Sequence, residues 1–290
     1  MSARIGVKAV EAEGFLFAVC GEETDPYFQN AQEFARENRL IPAALKTMRH
    51  DAIVVDIGAN IGVTVSMTAA ALPRARIVAV EPSPRARVCL GRTALRAGFG
   101  ERLTIVQACM GAEGGEAGFH EGASACASHV QPGAPMVPMT TLDATFDALA
   151  LPRIDMVKID VEGWEIDVLR GGARALLEGA PLVIAEINTW SLNWNRRLPL
   201  RDMIDYLRQT FGLAAWVEDG ELRIAESDFD FYALAWRIEQ TRGLDVVFSH
   251  DHAKVRALAA QFTQSGAGGS DDSAVAGFGA SSGQLSRAAL

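Results

Sequence analysis

Cysteine is scarce: Cys20, Cys89, Cys109 and Cys126 are the only four in 290 residues. No two stand at the Cys-x-x-Cys spacing of a metal or redox site. Free thiols in a reducing compartment are the ordinary reading. Long apolar runs are missing too, since no stretch approaches the ~18–20 residues of a membrane span. The opening MSARIGVKAVEAEG carries acids where a signal peptide needs an apolar core, so a cytoplasmic protein is expected. Positive charge is in deficit, with 27 Lys+Arg against 36 Asp+Glu and a net charge of −9. That balance argues against a nucleic-acid partner, which wants a basic face. Arg85, Arg87, Arg92 and Arg96 gather at helical spacing and read as a solvated face. Only three tyrosines occur, Tyr27, Tyr206 and Tyr232, and none belongs to a Tyr-x-x-x-Lys pair of the kind used by dehydrogenases. There is no internal repeat, and the first glycine-containing turn does not follow the G-x-G-x-x-G dinucleotide pattern.

What is present centres on Ile53-Val54-Val55-Asp56-Ile57-Gly58-Ala59-Asn60-Ile61-Gly62. A short apolar run reads as a strand buried on both faces. Gly58 and Gly62 let backbone approach a ligand closely. The helical pattern from Val63 to Leu72 then offers unpaired N–H groups and a partial positive charge at its start. The spacing D-x-G-x-x-x-G resembles the first motif of class I S-adenosylmethionine (SAM) methyltransferases. A second strand, Ile77–Val80, ends in Glu81 and Pro82, 25 residues after Asp56. A carboxylate there can accept both hydrogen bonds of a ribose diol.

Hydrophobic residues make up 49% and charged ones 22%, enough for one sizeable α/β domain with decoration. Residues 1–20 alternate as a hairpin would. Asp25-Pro26 reads as a helix cap with proline at the first position, and Pro42 is expected to divide or kink the segment 26–48. Such helices are expected, by fold analogy, to lie over the cofactor edge. Helices are expected over Val63–Leu72, Pro84–Ala97, Glu165–Leu177, Leu200–Phe211 and Asp251–Phe262, with a short one after Asp143. Further strands are expected over Leu103–Val106, Ile154–Asp160, Leu182–Ile187, Leu213–Val217, Leu222–Ala225 and Phe231–Trp236. Segment 112–136, with His120 and His129, reads as an active-site loop or short hairpin. Repeated β–α units imply a mostly parallel sheet with helices on both faces, and a late hairpin fits an antiparallel edge. Three regions follow: an N-terminal cap over 1–49, the main domain over 50–262, and a Gly/Ala/Ser-rich tail over 263–290 expected to be disordered.

Lys158-Ile159-Asp160-Val161-Glu162-Gly163-Trp164-Glu165 is the second informative stretch. Residues two apart on a strand share a face, so Lys158 and Asp160 point the same way. Asp160 and Glu162 fall at the carboxyl end of a strand, where open α/β sheets bind ligands. Taken in order, V-D-I-G-A-N-I-G, V-E-P, T-T-L-D and K-I-D-V-E-G-W-E-I-D-V-L-R-G-G resemble the FkbM family of SAM-dependent methyltransferases over roughly residues 50 to 190. The resemblance implies the class I methyltransferase fold, with its Rossmann-like, seven-stranded sheet, and O-methylation of hydroxyls on sugars, glycan precursors, polyketides or other small metabolites. It implies that SAM is consumed and S-adenosyl-L-homocysteine (SAH) released. Asp56, Gly58, Ala59, Asn60 and Gly62 would then line the methionine part of the cofactor. Glu81 and Pro82 would take the ribose, and Gln107 and Ala108 would flank the adenine. Thr64 and the first N–H groups of its helix would hold the methionine carboxylate.

For the transfer itself, Asp160 or Glu162 is the candidate to position or deprotonate the acceptor hydroxyl, with Lys158 tuning the charge and Glu186 contacting substrate. The competing reading is a structural ion pair of Lys158 with Asp160 or Glu186. No full metal-ligand set is visible and no metal is expected. His120 and His129 are alternative bases, and Trp190 and Trp194 are candidate sugar-stacking rings, whereas Trp164 can equally be core. Two other classes stay open: an NAD-dependent oxidoreductase, and a non-catalytic SAM-binding or scaffold protein on the same fold.

Overall fold

Apolar runs at Ile53, Ile77, Met156 and Leu182 lie side by side because each is flanked by helices that cover both of its faces. The structure is a computed structural model and describes residues 4–122, 124 and 127–266. Its strands, in chain order, are β1 (Ile5–Ala12), β2 (Phe15–Glu22), β3 (Ile53–Ile57), β4 (Arg76–Val80), β5 (Leu103–Val106), β6 (Cys109–Met110), β7 (Gly115–His120), β8 (His129–Val130), β9 (Met136–Thr140), β10 (Met156–Ile159), β11 (Leu182–Asn188), β12 (Ala214–Glu218), β13 (Glu221–Ala225) and β14 (Gly243–Phe248). The main sheet runs in the order β13-β12-β14-β11-β10-β3-β4-β5. From β11 to β5 every pairing is parallel, and β14, β12 and β13 join antiparallel. The β12–β13 hairpin forms the expected antiparallel edge.

Alternation along the central strands splits the core in two. Val54, Ile77, Ala79, Met156 and Ile184 face one layer, with helices Val63–Ala71, Pro84–Arg96 and His252–Gly266. Ile53, Val55, Ile57, Val78, Val157, Ile159 and Val183 face the other, with helices Leu200–Thr210 and Asp228–Thr241. Burial on both sides is why these strands read as continuous apolar runs.

The N-terminal hairpin forms as the sequence implies, and Asp25 caps the helix Pro26–Gln29 by accepting the Tyr27 N–H at 2.9 Å. Two more helices follow, Ala31–Glu37 and Leu40–Lys46. The break falls at Asn38 and Arg39, not at Pro42, which is the third residue of its helix. A proline in the first turn leaves no intrahelical bond unmade. Segment 112–136 folds into β7 and β8, which join β6 and β9 in a small four-stranded sheet.

Three expectations are corrected. The sheet has eight strands rather than seven. Residues 231–236 are not a strand but part of the helix Asp228–Thr241. Phe231, Leu234 and Ile238 recur at helical spacing on its buried side, while Phe229, Tyr232 and Trp236 are exposed. Ser227 and Asp230 close a capping box at its start. The strand that fills the position is β14, twelve residues later, with Val246, Val247 and Phe248 all fully buried. The helix expected over Glu165–Leu177 is divided at Gly172 into Glu165–Gly171 and Ala173–Gly179. A Cβ on Gly171 would stand 2.0 Å from the Gly111 carbonyl oxygen, and one on Gly172 2.7 Å from Leu142. The tail expected to be disordered lies, from residue 267, outside the described residues. No helix among the described residues is long and apolar enough to cross a membrane.

The corrected helix gives a direct test. Ser227→Ala removes the side chain that accepts the Asp230 N–H. It is expected to destabilise the chain by about 1 kcal/mol in urea unfolding; an unchanged midpoint would mean that this end is held by packing alone.

Candidate functional site

The turn after β3 is built by its backbone. Gly58, Asn60 and Gly62 all have positive φ, at 82°, 52° and 91°. Asn60 tolerates that region because its side chain bonds locally, here accepting the Ile61 N–H at 2.7 Å. At Gly58 a Cβ would lie 1.8 Å from the Asp160 carbonyl oxygen, so the ends of β3 and β10 meet at a contact only glycine permits. At Gly62 a Cβ would strike Leu90, on the helix that follows β4, at 2.4 Å.

Glu81, just past β4, is buried beside this turn. One carboxylate oxygen accepts the Asn60 N–H at 2.8 Å and the other the Ser83 N–H at 2.7 Å. Burial pushes its pKa up to about 7 against these two hydrogen bonds. Arg87 donates to the Glu81 and Pro82 carbonyls, so one arginine of the expected solvated face holds the turn from behind.

The second cluster sits on β10 and its neighbours. In the sheet, Lys158 is the direct partner of Asp56 on β3, and Glu186 on β11 that of Asp245 on β14. Lys158 is buried, 2.9 Å from Asp160 Oδ2 and 3.9 Å from Asp56 Oδ1. Burial opposes its charge, but the two carboxylates outweigh it and hold the ammonium well above the ordinary lysine range. Asp56 is buried with neither oxygen hydrogen-bonded, and its pKa is pushed up to about 6 by burial, against the pull of Lys158. Glu162 has φ of 55°, accepts the Ser191 hydroxyl at 2.6 Å, and is raised to about 7 by burial and by Asp160. Glu186 is raised well above the carboxylate range, first by Asp160 and then by burial and Asp245. Burial lifts Asp245 to about 6. Several acids thus share one lysine. Glu165, also buried, accepts the Val161 and Gly163 N–H groups at 3.1 Å each and fixes the β10 loop.

Two cavities open on this edge. The narrow one, about 90 Å³, is lined by Gly58, Asn60, Glu81, Pro82, Ala108 and Trp164, among others. The wide one, about 790 Å³, reaches Thr64, Lys158, Glu186, Asn188, Trp190 and Asp245; that is a volume typical of small-molecule sites. Tyr27, His129, Asp160 and Glu162 line both.

The structure therefore brings most of the sequence candidates together. Asp56, Ala59 and Gly62 are buried beneath the turn rather than on a cavity wall. Gln107 is exposed and lines neither cavity, leaving Ala108, Cys109 and Met110 on that side. His120 is exposed on the small sheet, opposite His129. Trp190 reaches the wide cavity and Trp194 does not; Trp164 faces the narrow one under the Arg196 guanidinium, 4.6 Å from its ring. Sequence reasoning missed Tyr27, Ser191 and Asp245. Tyr27 stood beside the Asp25-Pro26 cap, which marks a helix start, here at the rim of both cavities. Asp245 had no readable signal, because its strand was placed elsewhere. Among the described residues no group of three or more His, Cys, Asp or Glu side chains could hold a metal ion.

A parallel sheet with antiparallel strands at one edge, and an acid at the end of each of its first two parallel strands, defines a class I methyltransferase fold. The chain belongs to the FkbM methyltransferase family: the Methyltransferase FkbM domain matches residues 56–212. Among solved structures it is similar to methyltransferase FkbM from Methylobacillus flagellatus, at 15% identity and TM-score 0.47, covering 77% of this chain and 53% of that one. This chain thus spans about half the length of that protein. It is also similar to a SAM-dependent methyltransferase from Agrobacterium tumefaciens, at 11% identity and TM-score 0.45, covering 84% of this chain and 70% of that one. A third is precorrin-6y C5,15-methyltransferase from Geobacter metallireducens, at 13% identity and TM-score 0.41, covering 74% and 87%. No curated protein matches the chain.

The raised carboxyls carry a prediction. Asp56, Glu81, Glu162, Glu165 and Asp245, raised to about 6 or 7 mainly by burial, keep protons in the folded chain that the unfolded chain has already released. Stability is therefore highest in mildly acidic solution and falls as pH rises from about 4 through about 7. Thermal midpoints across that range should show the decline, and Asp245→Asn should flatten part of it. A level profile in the unsubstituted chain would show that these groups ionise normally.

Proposed function

We propose that this chain transfers the methyl group of SAM to a hydroxyl on a small metabolite, a sugar or glycan precursor, or a polyketide, releasing SAH. The observation that carries the reading is the set of side chains common to both cavities. A transfer between two bound molecules needs groups that see both, and Asp160 and Glu162 do.

The residues present fit the cofactor. The glycine turn at Gly58 and Gly62 keeps side chains out of the cradle, and Glu81 stands at the end of β4 for the ribose diol, with Pro82 and Ala108 beside it. Asn60 and Thr64, where the narrow cavity gives way to the wide one, would take the methionine end, while Asp56 and Gly62 support the turn from beneath. The sulfonium supplies an already activated methyl group. What the protein adds is alignment and exclusion of water, effects worth up to ~7–11 kcal/mol of barrier. Asp160 holds the acceptor hydroxyl and takes its proton as the new C–O bond forms; a base so placed contributes roughly 10²–10⁴-fold. Lys158, salt-bridged to Asp160 at 2.9 Å, orients that carboxylate. Glu162, with its pKa near neutrality, is the alternative proton acceptor. Glu186 and Trp190, on the wide cavity, would face the acceptor. A cytoplasmic location and the absence of a metal requirement belong to the same reading.

Calorimetric titration with SAM, SAH and NAD, with and without Mg²⁺, tests the cofactor. Binding of both adenosyl ligands without Mg²⁺, and none of NAD, is expected; the reverse would restore the oxidoreductase alternative. Glu81→Ala should weaken SAM binding by about 1.5–3 kcal/mol, the range for charge-assisted hydrogen bonds. Asp160→Ala should spare SAM binding and lower transfer of labelled methyl in an acceptor screen. Unchanged turnover would remove Asp160 as the base.

A further inference from the structure

The N-terminal segment delivers one aromatic ring to the boundary between the two cavities. Tyr27 lines both of them and lies outside the family match, which begins at Asp56. Its place is secured from several sides. Asp25 accepts the Tyr27 N–H at 2.9 Å and also the Ser124 hydroxyl at 2.7 Å. Arg85, on the helix after β4, stands 3.7 Å from the other Asp25 oxygen. The Tyr27 ring stacks on Phe34, with centroids 4.9 Å apart and planes at 21°. Phe28, the next residue, packs so closely on β2 that a Cβ on Gly21 would come within 2.4 Å of its ring. A helix of four residues is thereby pinned to β2, to the helix after β4 and to the segment that follows β7. Burial, against the pull of Lys158 and with Asp160, Asp56 and Glu186 nearby, pushes the phenol above the ordinary tyrosine range.

If SAM is the cofactor, as proposed above, its adenosine lies toward Glu81 and Ala108 and its methionine toward Thr64. The sulfonium joins those two halves, so it falls where the narrow cavity gives way to the wide one. Tyr27 borders that crossing. An aromatic face attracts a cation through its quadrupole, most strongly when desolvated. The thioether of SAH has the same shape without the charge.

We propose that Tyr27 is a cofactor-binding residue whose ring reads the sulfonium charge, so that it favours SAM over SAH and helps the spent cofactor leave. The inference rests on the SAM reading, and its test separates the two. The full chain, Tyr27→Phe and Tyr27→Leu are each titrated calorimetrically with SAM and with SAH, after thermal unfolding without ligand has shown that each variant is folded. The expected result is that Tyr27→Leu loses about 5- to 30-fold in affinity for SAM and no more than about threefold for SAH, while Tyr27→Phe keeps the ratio of the unsubstituted chain. An unchanged ratio of SAM to SAH affinity in Tyr27→Leu overturns the proposal. Equal loss of the ratio in Tyr27→Phe also overturns it, because the hydroxyl rather than the ring would then be responsible. Failure of the unsubstituted chain to bind either ligand is a different outcome: it removes the SAM reading itself, and this inference with it.

Discussion

Among the described residues, Lys158 is the cation on which the acidic edge depends. A buried ammonium is costly unless carboxylates stand against it, and a buried carboxylate is costly unless a cation does. Asp56 comes from β3 and Asp160 from the end of β10, so the lysine joins the two strands whose turns form the site. The D-x-G-x-x-x-G and K-I-D-V-E-G stretches, a hundred residues apart, are therefore two halves of one electrostatic unit. The same logic explains the raised pKa values around it. One lysine cannot compensate the whole cluster, and Asp56, Glu162, Glu186 and Asp245 are held above the ordinary carboxylate range.

The rest of the chain divides by what it adds to that unit. Residues 56–212 hold the turns, Glu81 and the β10 loop. The segments on either side supply much of the wide cavity: Tyr27, Phe34 and Leu40 from the N-terminal helices, Leu244 and Asp245 from β14. The N-terminal helices lie outside the main sheet, whereas β14 is bonded to β11 within it, so the two flanks reach the same cavity by different means.

The central strands and the glycine turn after β3 were legible because burial on two faces leaves long apolar runs and because the turn needs glycine at fixed places. Gly58 is the clearest case: the contact with the Asp160 carbonyl allows no other side chain. The β14 strand was not legible. Its residues Gly243-Leu244-Asp245 break the apolar pattern, since Asp245 faces the cavity, while the helix before it carries enough aromatics to imitate a strand. Tyr27 was hidden for a different reason. Nothing local distinguishes a ring on a four-residue helix from ordinary packing, and only the meeting of two cavities gives it meaning. Gln107 shows the converse, a polar residue at the right sequence position whose side chain faces solvent.

The β1–β2 hairpin has a consequence for how the molecule assembles. It is a sheet of its own, bonded to none of the strands of the main sheet, and its apolar residues Val10, Phe17 and Val19 are buried in the same layer as the helices 63–71 and 84–96. An isolated two-stranded hairpin is marginal in water. It therefore depends on packing against those two helices for its own stability. The helices that follow it carry Tyr27, Phe34 and Leu40 to the wide cavity, so local opening of the hairpin would loosen that wall while leaving the pairings of the main sheet intact.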